Sequence, residues 1–591
     1  MIKKSTIYFI LILNFILING IAQDKNDTSE ISTLIKKYRE ILSDEMNKNN
    51  IAGLCITVVD SDSIIWAEGL GWYDTINRIK VSSETPFQTG SLTKLFTGIG
   101  IMQLQEKGLL NIDSSFVKYV PEFKMKSIYD SINDITIRSI MTHHAGIPNI
   151  DANKFTQDPE YFTKLIDYIN NDYATNPVNI LYKYSNSGIS LLGNLIENVS
   201  GDNYFDYIER SIVDKIDMEN AGFFTSKNQP VSCLFGYDGE MNQHNELPIL
   251  DAPAGSLYAS ATDMSKFMRA FLLAGEKDDL GIITKTSQKE MTKVQNSDVF
   301  YDFGVKTGLI GGIRYNRHGK LFSHGSGNLY HRGILHMLPN SGLGVVILSN
   351  SANANKIYYY AERLLNDLAD IKGLNQKNSG IKPVRNIINP EHNWVYSEGD
   401  KIDTLELSED IIEKYLGTYA ASDMAYEVRA DKKRLFIDYG NYGRKYLIPT
   451  KHNEFIPADT SLNLNVKERY YFELYNNNTY LIKVYKNGFQ EIWGTKVVKK
   501  TINSLWLDRL GTYKVINTVE GEKKFVLRIE HDLLALPFDS GIYYRPLKII
   551  NDNLAIVYGF VRGSGSALQF IKDESGKEYL LFRGYKGTKI D

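Results

Sequence analysis

Two cysteines in 591 residues are too few for a disulfide framework or a structural zinc site. Cys55 lies inside the apolar run IAGLCITVVD, which suits a small buried thiol better than one end of a bridge to Cys233. An excess of one charge is missing too. Lys and Arg number 67 and Asp and Glu 70, a formal net charge of -3, so nothing marks a nucleic-acid ligand or an anionic membrane surface. Beyond the N-terminus there is no long apolar run. There, MIKKSTIYFILILNFILINGIAQ joins Lys3 and Lys4 to an apolar core from Ile7 to Ile18, broken by Asn14, with small residues at Gly20 and Ala22. The core is short of the ~20 residues a span needs. Residues 1–22 are therefore expected to be a signal peptide, leaving an exported, periplasmic or extracellular protein with no stable membrane span after cleavage.

What remains is globular, 43% hydrophobic and 23% charged, and too long for one core. Residues 51–73 give two β-like runs, LCITVVD and SIIWAEGLGWY, around Asp60-Ser61-Asp62, which predicts a hairpin. Leu92, Leu95, Phe96, Ile99, Met102 and Leu104 recur at mostly three- and four-residue steps from Ser91, and Gly108 ends that helix. Strands return from Phe303 to Ser349, closing through Pro339-Asn340-Ser341-Gly342 into LGVVILSN, and a helix follows from Ile357. Strands, then helices, then strands predict an α+β domain over 23–371, an antiparallel sheet flanked by helices. Polar residues 372–404 read as a linker. Residues 405–500 and 501–591 read as all-β units, because Leu416-Gly417-Thr418-Tyr419 recurs as Leu510-Gly511-Thr512-Tyr513. Two copies of one unit fit this spacing, and so does one larger barrel.

Chemistry-bearing residues concentrate at two helix starts. QTGSLTKLF puts Lys94 three residues after Ser91, on one helix face, where an amine can reach a hydroxyl that is a weak nucleophile unaided. The same S-x-x-K spacing occurs at Ser115 and Ser379, so the Thr-Gly turn and the periodic helix single out Ser91. Tyr184-Ser185-Asn186 opens a second periodic helix, and a tyrosine can act as a base where cations lower its pKa. Y-x-N also occurs at Tyr168, Tyr439 and Tyr475, so spacing alone does not decide. His143 and His144 have no ligand partner at metal spacing and are expected to be structural, and Asp263 is expected to cap a helix.

Six blocks, in order, resemble the serine β-lactamase-related hydrolases, which include class C β-lactamases, D-Ala-D-Ala carboxypeptidases and related esterases and aminopeptidases. They are PFQTGSLTKLFTGIGIMQL, LNIDSSFVKYVPEF, ITIRSIMTHHAGIP, YSNSGISLLGNLIE, PAGSLYASATDMSKFM and LPNSGLGVVILSN. The resemblance covers roughly residues 30 to 370 and implies a β-lactamase/transpeptidase-like fold. It implies Ser91 as the acylated nucleophile, Lys94 and Tyr184 sharing the proton work, and Asn186 on the substrate's acyl side. The expected activity is hydrolysis of an amide or ester through an acyl-enzyme. A D-amino-acid peptidase, amidase or esterase fits best; the alternatives are a non-catalytic binding protein of the same fold and a true β-lactamase. The expected partner is a small-molecule or peptide substrate, such as one derived from cell wall. No cofactor, metal or nucleic acid is expected, and the oligomeric state is not readable.

The family's third motif borders the nucleophile and supplies an oxyanion donor. Lys306-Thr307-Gly308 matches its letters. His324-Gly325-Ser326-Gly327 matches its place, just before the last two strands, and takes the substrate and oxyanion role in this reading. Ser326 stands where such sequences have glycine. Histidine in place of lysine argues mildly against a dedicated β-lactamase.

Overall fold

The computed structural model describes residues 29–591, apart from 130, 153–154, 156–158, 275–280, 303–304, 375–401, 422–423, 441–442, 476–477, 486–489, 518–520, 539–542 and 560–564. The expected signal peptide and most of the expected linker lie outside the described residues.

One antiparallel sheet organises the N-terminal domain. Its strands are β1 (Gly53–Asp60), β2 (Ile64–Asp74), β3 (Ile79–Lys80), β4 (Lys306–Thr307), β5 (Gly312–Asn316), β6 (Gly319–Gly327), β7 (Arg332–Leu338) and β8 (Leu343–Ser349). Their order across the sheet is β3-β2-β1-β8-β7-β6-β5-β4. The first hairpin thus joins the last strand, with Leu54 opposite Ser349 and Asp60 opposite Leu343. β1 and β8 are buried on both faces, which is why both read as unbroken apolar runs. On one face, Tyr38 and Leu42 of the helix at residues 29–48 and Leu364 and Leu365 of the helix Ile357–Ile371 share a core with Ile56, Val58 and Ile347. The other face carries the larger core, which takes in α1 (Thr93–Glu106), α2 (Asn186–Ser200) and the helix Ala261–Leu272. Ser260 caps that last helix, and Asp263 returns the bond from its third position, a capping box.

Two closed eight-stranded antiparallel barrels follow, the first from Gly417 to Lys496 and the second from Gly511 to Lys589. Each begins alike. A short helix (Glu409–Tyr415 or Ser504–Asp508) runs into a glycine at φ 133 or 138. The tyrosine two residues on turns its hydroxyl back to a carbonyl four residues earlier: Tyr419 to Tyr415 O at 3.0 Å, Tyr513 to Arg509 O at 2.7 Å. The repeated Leu-Gly-Thr-Tyr is therefore the start of a repeated barrel, and closure removes the free edges an open sheet would leave.

The second barrel grips the first domain through its last hairpin turn. Arg583 O accepts the N–H groups of Asp151 (3.1 Å) and Ala152 (3.3 Å). The Arg583 guanidinium pairs with the Asp151 carboxylate at 2.8 Å, and Tyr585 donates to Asp151 O at 2.9 Å. Cys55 and Cys233 are both buried free thiols. Among the described residues no helix is long and apolar enough to cross a membrane.

Candidate active site

Ser91 sits in a single 3-10 turn, Gly90–Leu92, that leads into α1. One turn on, Lys94 is fully buried, and its Nζ donates to Ser91 Oγ at 3.0 Å and to Ala254 O at 2.6 Å. From the start of α2, the Tyr184 hydroxyl reaches the same Oγ at 2.9 Å. Lys94 Nζ stands 5.1 Å from the centre of the Tyr184 ring. Ser91, Lys94 and Tyr184, to which the resemblance gave the proton chemistry, therefore converge on one oxygen. An amine and a phenol thus both stand within reach of the serine hydroxyl proton.

The start of α2 is held from behind. Ser185 is the helix N-cap and accepts the Gly188 N–H at 2.9 Å. Asn149 binds both flanks, donating to Tyr184 O at 2.8 Å and accepting the Asn186 N–H at 2.7 Å. His143 packs its ring on Tyr184, centroids 4.5 Å apart, and its Nδ1 accepts the Ser185 N–H at 3.2 Å. Burial and the nearby Lys94 charge push His143 well below its ordinary pKa, so it stays neutral. His144 bridges Thr142 at 2.9 Å and Asp302 at 2.8 Å, and Asp302 also accepts the Tyr182 N–H at 2.5 Å. Both histidines brace the tyrosine segment. No group of three or more His, Cys, Asp or Glu that could hold a metal ion occurs among the described residues.

The opposite wall is the end of β6. A cavity of about 510 Å³ is lined by Ser91, Tyr184, Asn186, Gly325, Ser326 and Gly327, together with Asp251, Asn328, Arg332 and Phe155 among others. Ser326 does not narrow this edge. Its hydroxyl donates to Thr89 O, pinning the strand to the Ser91 turn, and Asn328 ties the same edge to Gln88 at 2.7 Å. Room for Ser326 comes from Gly90, where φ is 49 and a Cβ would collide with Ser326 Oγ. A residue that departs from the usual glycine is thus matched by a glycine on the facing turn.

His324 stands two residues before Ser326 on β6. Its ring is buried, points to the same side as Ser326, and holds Gly325 O at 2.7 Å. Burial first, and the Lys94 charge second, push its pKa down to about 4. It shapes the strand whose next three residues, Gly325, Ser326 and Gly327, line the cavity. Lys306 is farther away, on edge strand β4 two strands from β6, with its ammonium 5.0 Å from the Tyr315 ring centre. It does not line the cavity.

Sequence reasoning missed Asn149, Asp251 and Arg332. Asn149 directly follows the block ending in Gly146-Ile147-Pro148, and Asp251 stands two residues before the block beginning at Pro253, so nearness was the only available signal. Asp251 lies just before the turn of helix Ala252–Gly255, whose Pro253 O accepts Thr97 Oγ1 at 2.6 Å and whose Ala254 O accepts Lys94.

Among curated proteins, the chain is similar to Protein flp of Staphylococcus aureus (strain N315), 25% identical over 318 residues, 53% of this chain and 62% of that protein. It is similar to Beta-lactamase-like protein 2 of Dictyostelium discoideum, 26% identical over 292 residues, 46% of this chain and 53% of that protein. The chain thus spans less than two-thirds of the length of these relatives. Among solved structures it shares its fold with an octameric penicillin-binding protein homologue from Pyrococcus abyssi (TM-score 0.51, 21% identity, 78% of this chain and 100% of that one). It also shares it with SurE (TM-score 0.55, 18% identity, 79% and 100%). The Beta-lactamase family model matches residues 38–370, more than half of the sequence, and the chain belongs to that family.

Proposed function

We propose that the chain is an exported serine hydrolase that opens an amide or ester by acyl transfer to Ser91, with short D-amino-acid peptides, amides or esters as its substrates. The observation that carries this reading is the convergence of Lys94 Nζ and Tyr184 OH on Ser91 Oγ, at 3.0 and 2.9 Å. Lys94 and Tyr184 share the proton work, with Tyr184 as the base that takes the hydroxyl proton while Oγ bonds to the substrate carbonyl carbon. The backbone N–H groups of Ser91 and Gly327 are the donors we assign to the oxyanion. The proton then passes to the leaving nitrogen or oxygen as its bond to carbon breaks, and water hydrolyses the acyl-serine by the same route. With a neutral imidazole at His324, that position offers no cation to a β-lactam carboxylate, which favours peptidase or esterase chemistry over a dedicated β-lactamase. SurE, which shares the fold, has been crystallised with D-Leu.

The test uses two probes, a fluorophosphonate and a fluorescent penicillin, on wild type and Ser91→Ala. Labelling by the fluorophosphonate that vanishes in Ser91→Ala is expected. Equal, weak labelling of both proteins by both probes would favour a binding protein, and strong labelling by the penicillin would favour a penicillin target.

A further inference from the structure

Asp251 is a carboxylate with no partner inside the cavity. It is 7% exposed, and its Oδ1 is sealed from solvent without a hydrogen bond. It precedes a helical turn, yet its side chain makes no capping bond there. Among the described residues, no Lys, Arg or His nitrogen comes within ion-pair distance of it. Arg332, the cavity's guanidinium, turns Nη1 instead to the carbonyls of Asn328 and His331, each at 2.8 Å. Lys94 is taken up by Ser91 and Ala254. A second acceptor in the same cavity is also unused: Asn186 Oδ1 is buried without a donor.

Leaving a carboxylate buried and unpaired is costly, and structures avoid it unless a cation arrives from elsewhere. Two idle acceptors, one of them anionic, ask for a group that is all donor and carries positive charge. A primary ammonium has three donors and no acceptor, and a neutral amide or hydroxyl would leave the charge unmet. We infer that Asp251, with Asn186, forms a subsite for a protonated amine, so that the substrate class is an amide or ester bearing a free ammonium close to its scissile carbonyl, as in an aminoacyl amide or a peptide with a free N-terminus. This rests on the serine-hydrolase reading above and narrows it to aminopeptidase-like chemistry. Asp251 is anchored for the task, because Thr97 and Lys94 on α1 hold the carbonyls of Pro253 and Ala254 and so fix its turn against the nucleophile helix.

The test measures protection of Ser91 from a fluorophosphonate, in the full chain, by D-alaninamide and by N-acetyl-D-alaninamide. The L forms run alongside, and each protein is read as the ratio of the two half-protecting concentrations. At pH 6.5 the free amine is charged, since α-amino groups titrate near 7.7–8.0. Wild type is expected to need at least about tenfold less of the charged amide, as one partly buried ion pair supplies. That ratio should collapse toward one in Asp251→Asn, return in Asp251→Glu, and shrink in wild type at pH 9.5. Equal protection by both amides in wild type, or a ratio unchanged in Asp251→Asn, overturns the ammonium subsite while leaving the hydrolase reading intact. Absence of any Ser91 labelling overturns the hydrolase reading itself, and the subsite with it.

Discussion

The pairing of Gly90 with Ser326 predicts a reversal of an ordinary mutational sign. In Gly90→Ala the backbone stays at φ 49, a left-handed conformation that costs a residue with a Cβ about 1–2 kcal/mol. The new methyl also collides with Ser326 Oγ, so the hydroxyl must leave Thr89 O. Losing that bond costs about 1 kcal/mol, and more if the buried hydroxyl finds no other acceptor. The single substitution should therefore destabilise the domain by about 2–4 kcal/mol. Removing the hydroxyl as well, in Gly90→Ala/Ser326→Gly, deletes the collision and leaves mainly the backbone term. The double variant should recover about 1–2 kcal/mol, although Ser326→Gly alone should stabilise nothing. Because the barrels carry cores of their own, the assay must read the sheet domain alone. Pulse labelling of Ser91 by a fluorophosphonate across a urea series does this, its midpoint reporting the state of the nucleophile turn. A double variant no more stable than Gly90→Ala would refute the reasoning, and the glycine would then answer to the backbone angle alone.

Lys94→Met and Tyr184→Phe should each slow acylation of Ser91 by about 10²–10⁴ while leaving the protein folded, as stopped-flow labelling and circular dichroism would show. A rate within threefold of wild type for Tyr184→Phe would remove it as the base. His324→Ala should impair turnover through the strand it supports, whereas Lys306→Ala should stay within about twofold of wild type; abolition of turnover by the lysine change alone would move the third motif to β4. Lys183, beside Tyr184, is buried where the second barrel meets the first domain, and burial pushes its pKa down from 10.5 to about 7. The unfolded chain therefore binds the extra proton between pH 7 and 10.5, so this residue's contribution rises with pH across that window and is lost as pH falls to 7. Lys183→Met should accordingly be more stable than wild type at pH 7, with the gap closing toward pH 10 in thermal melts. Arg583→Ala should loosen the loop at residues 150–152, read as faster amide hydrogen exchange at Asp151 and Ala152.

The legible parts of this protein were those set by short spacing. Ser91 and Lys94 share a face because three residues nearly complete a helical turn, and no distant contact is needed to bring them together. Tyr184 was recognisable only through the family resemblance of its block, and the barrels through a repeated Leu-Gly-Thr-Tyr whose tyrosine has a local task in each copy. Lys306-Thr307-Gly308 shows the limit of letters, since a tripeptide carries no strand order, and the sheet puts it two strands from the motif's position. His324 shows the limit of order. Its strand was found, but whether the imidazole meets a substrate depends on the strand's register, which the sequence leaves open. Asn149 and Asp251 were invisible for another reason. Each acts across a gap, Asn149 on residues 35 and 37 positions away and Asp251 on whatever enters the cavity.

The grip of Arg583 and Tyr585 on Asp151 has a consequence for the order in which the molecule is made. The tyrosine and its acceptor are 434 residues apart in sequence. A ribosome adding about 5–20 residues per second reaches the second barrel on the order of tens of seconds after the loop has emerged. The nucleophile turn and the tyrosine helix can pack early, from neighbours already synthesised. The loop that carries Asn149 and ends beside Phe155 waits for its clamp. The pocket around Ser91 is thus completed from a distance, and a nascent chain holds Ser91, Lys94 and Tyr184 well before it holds a complete wall around them.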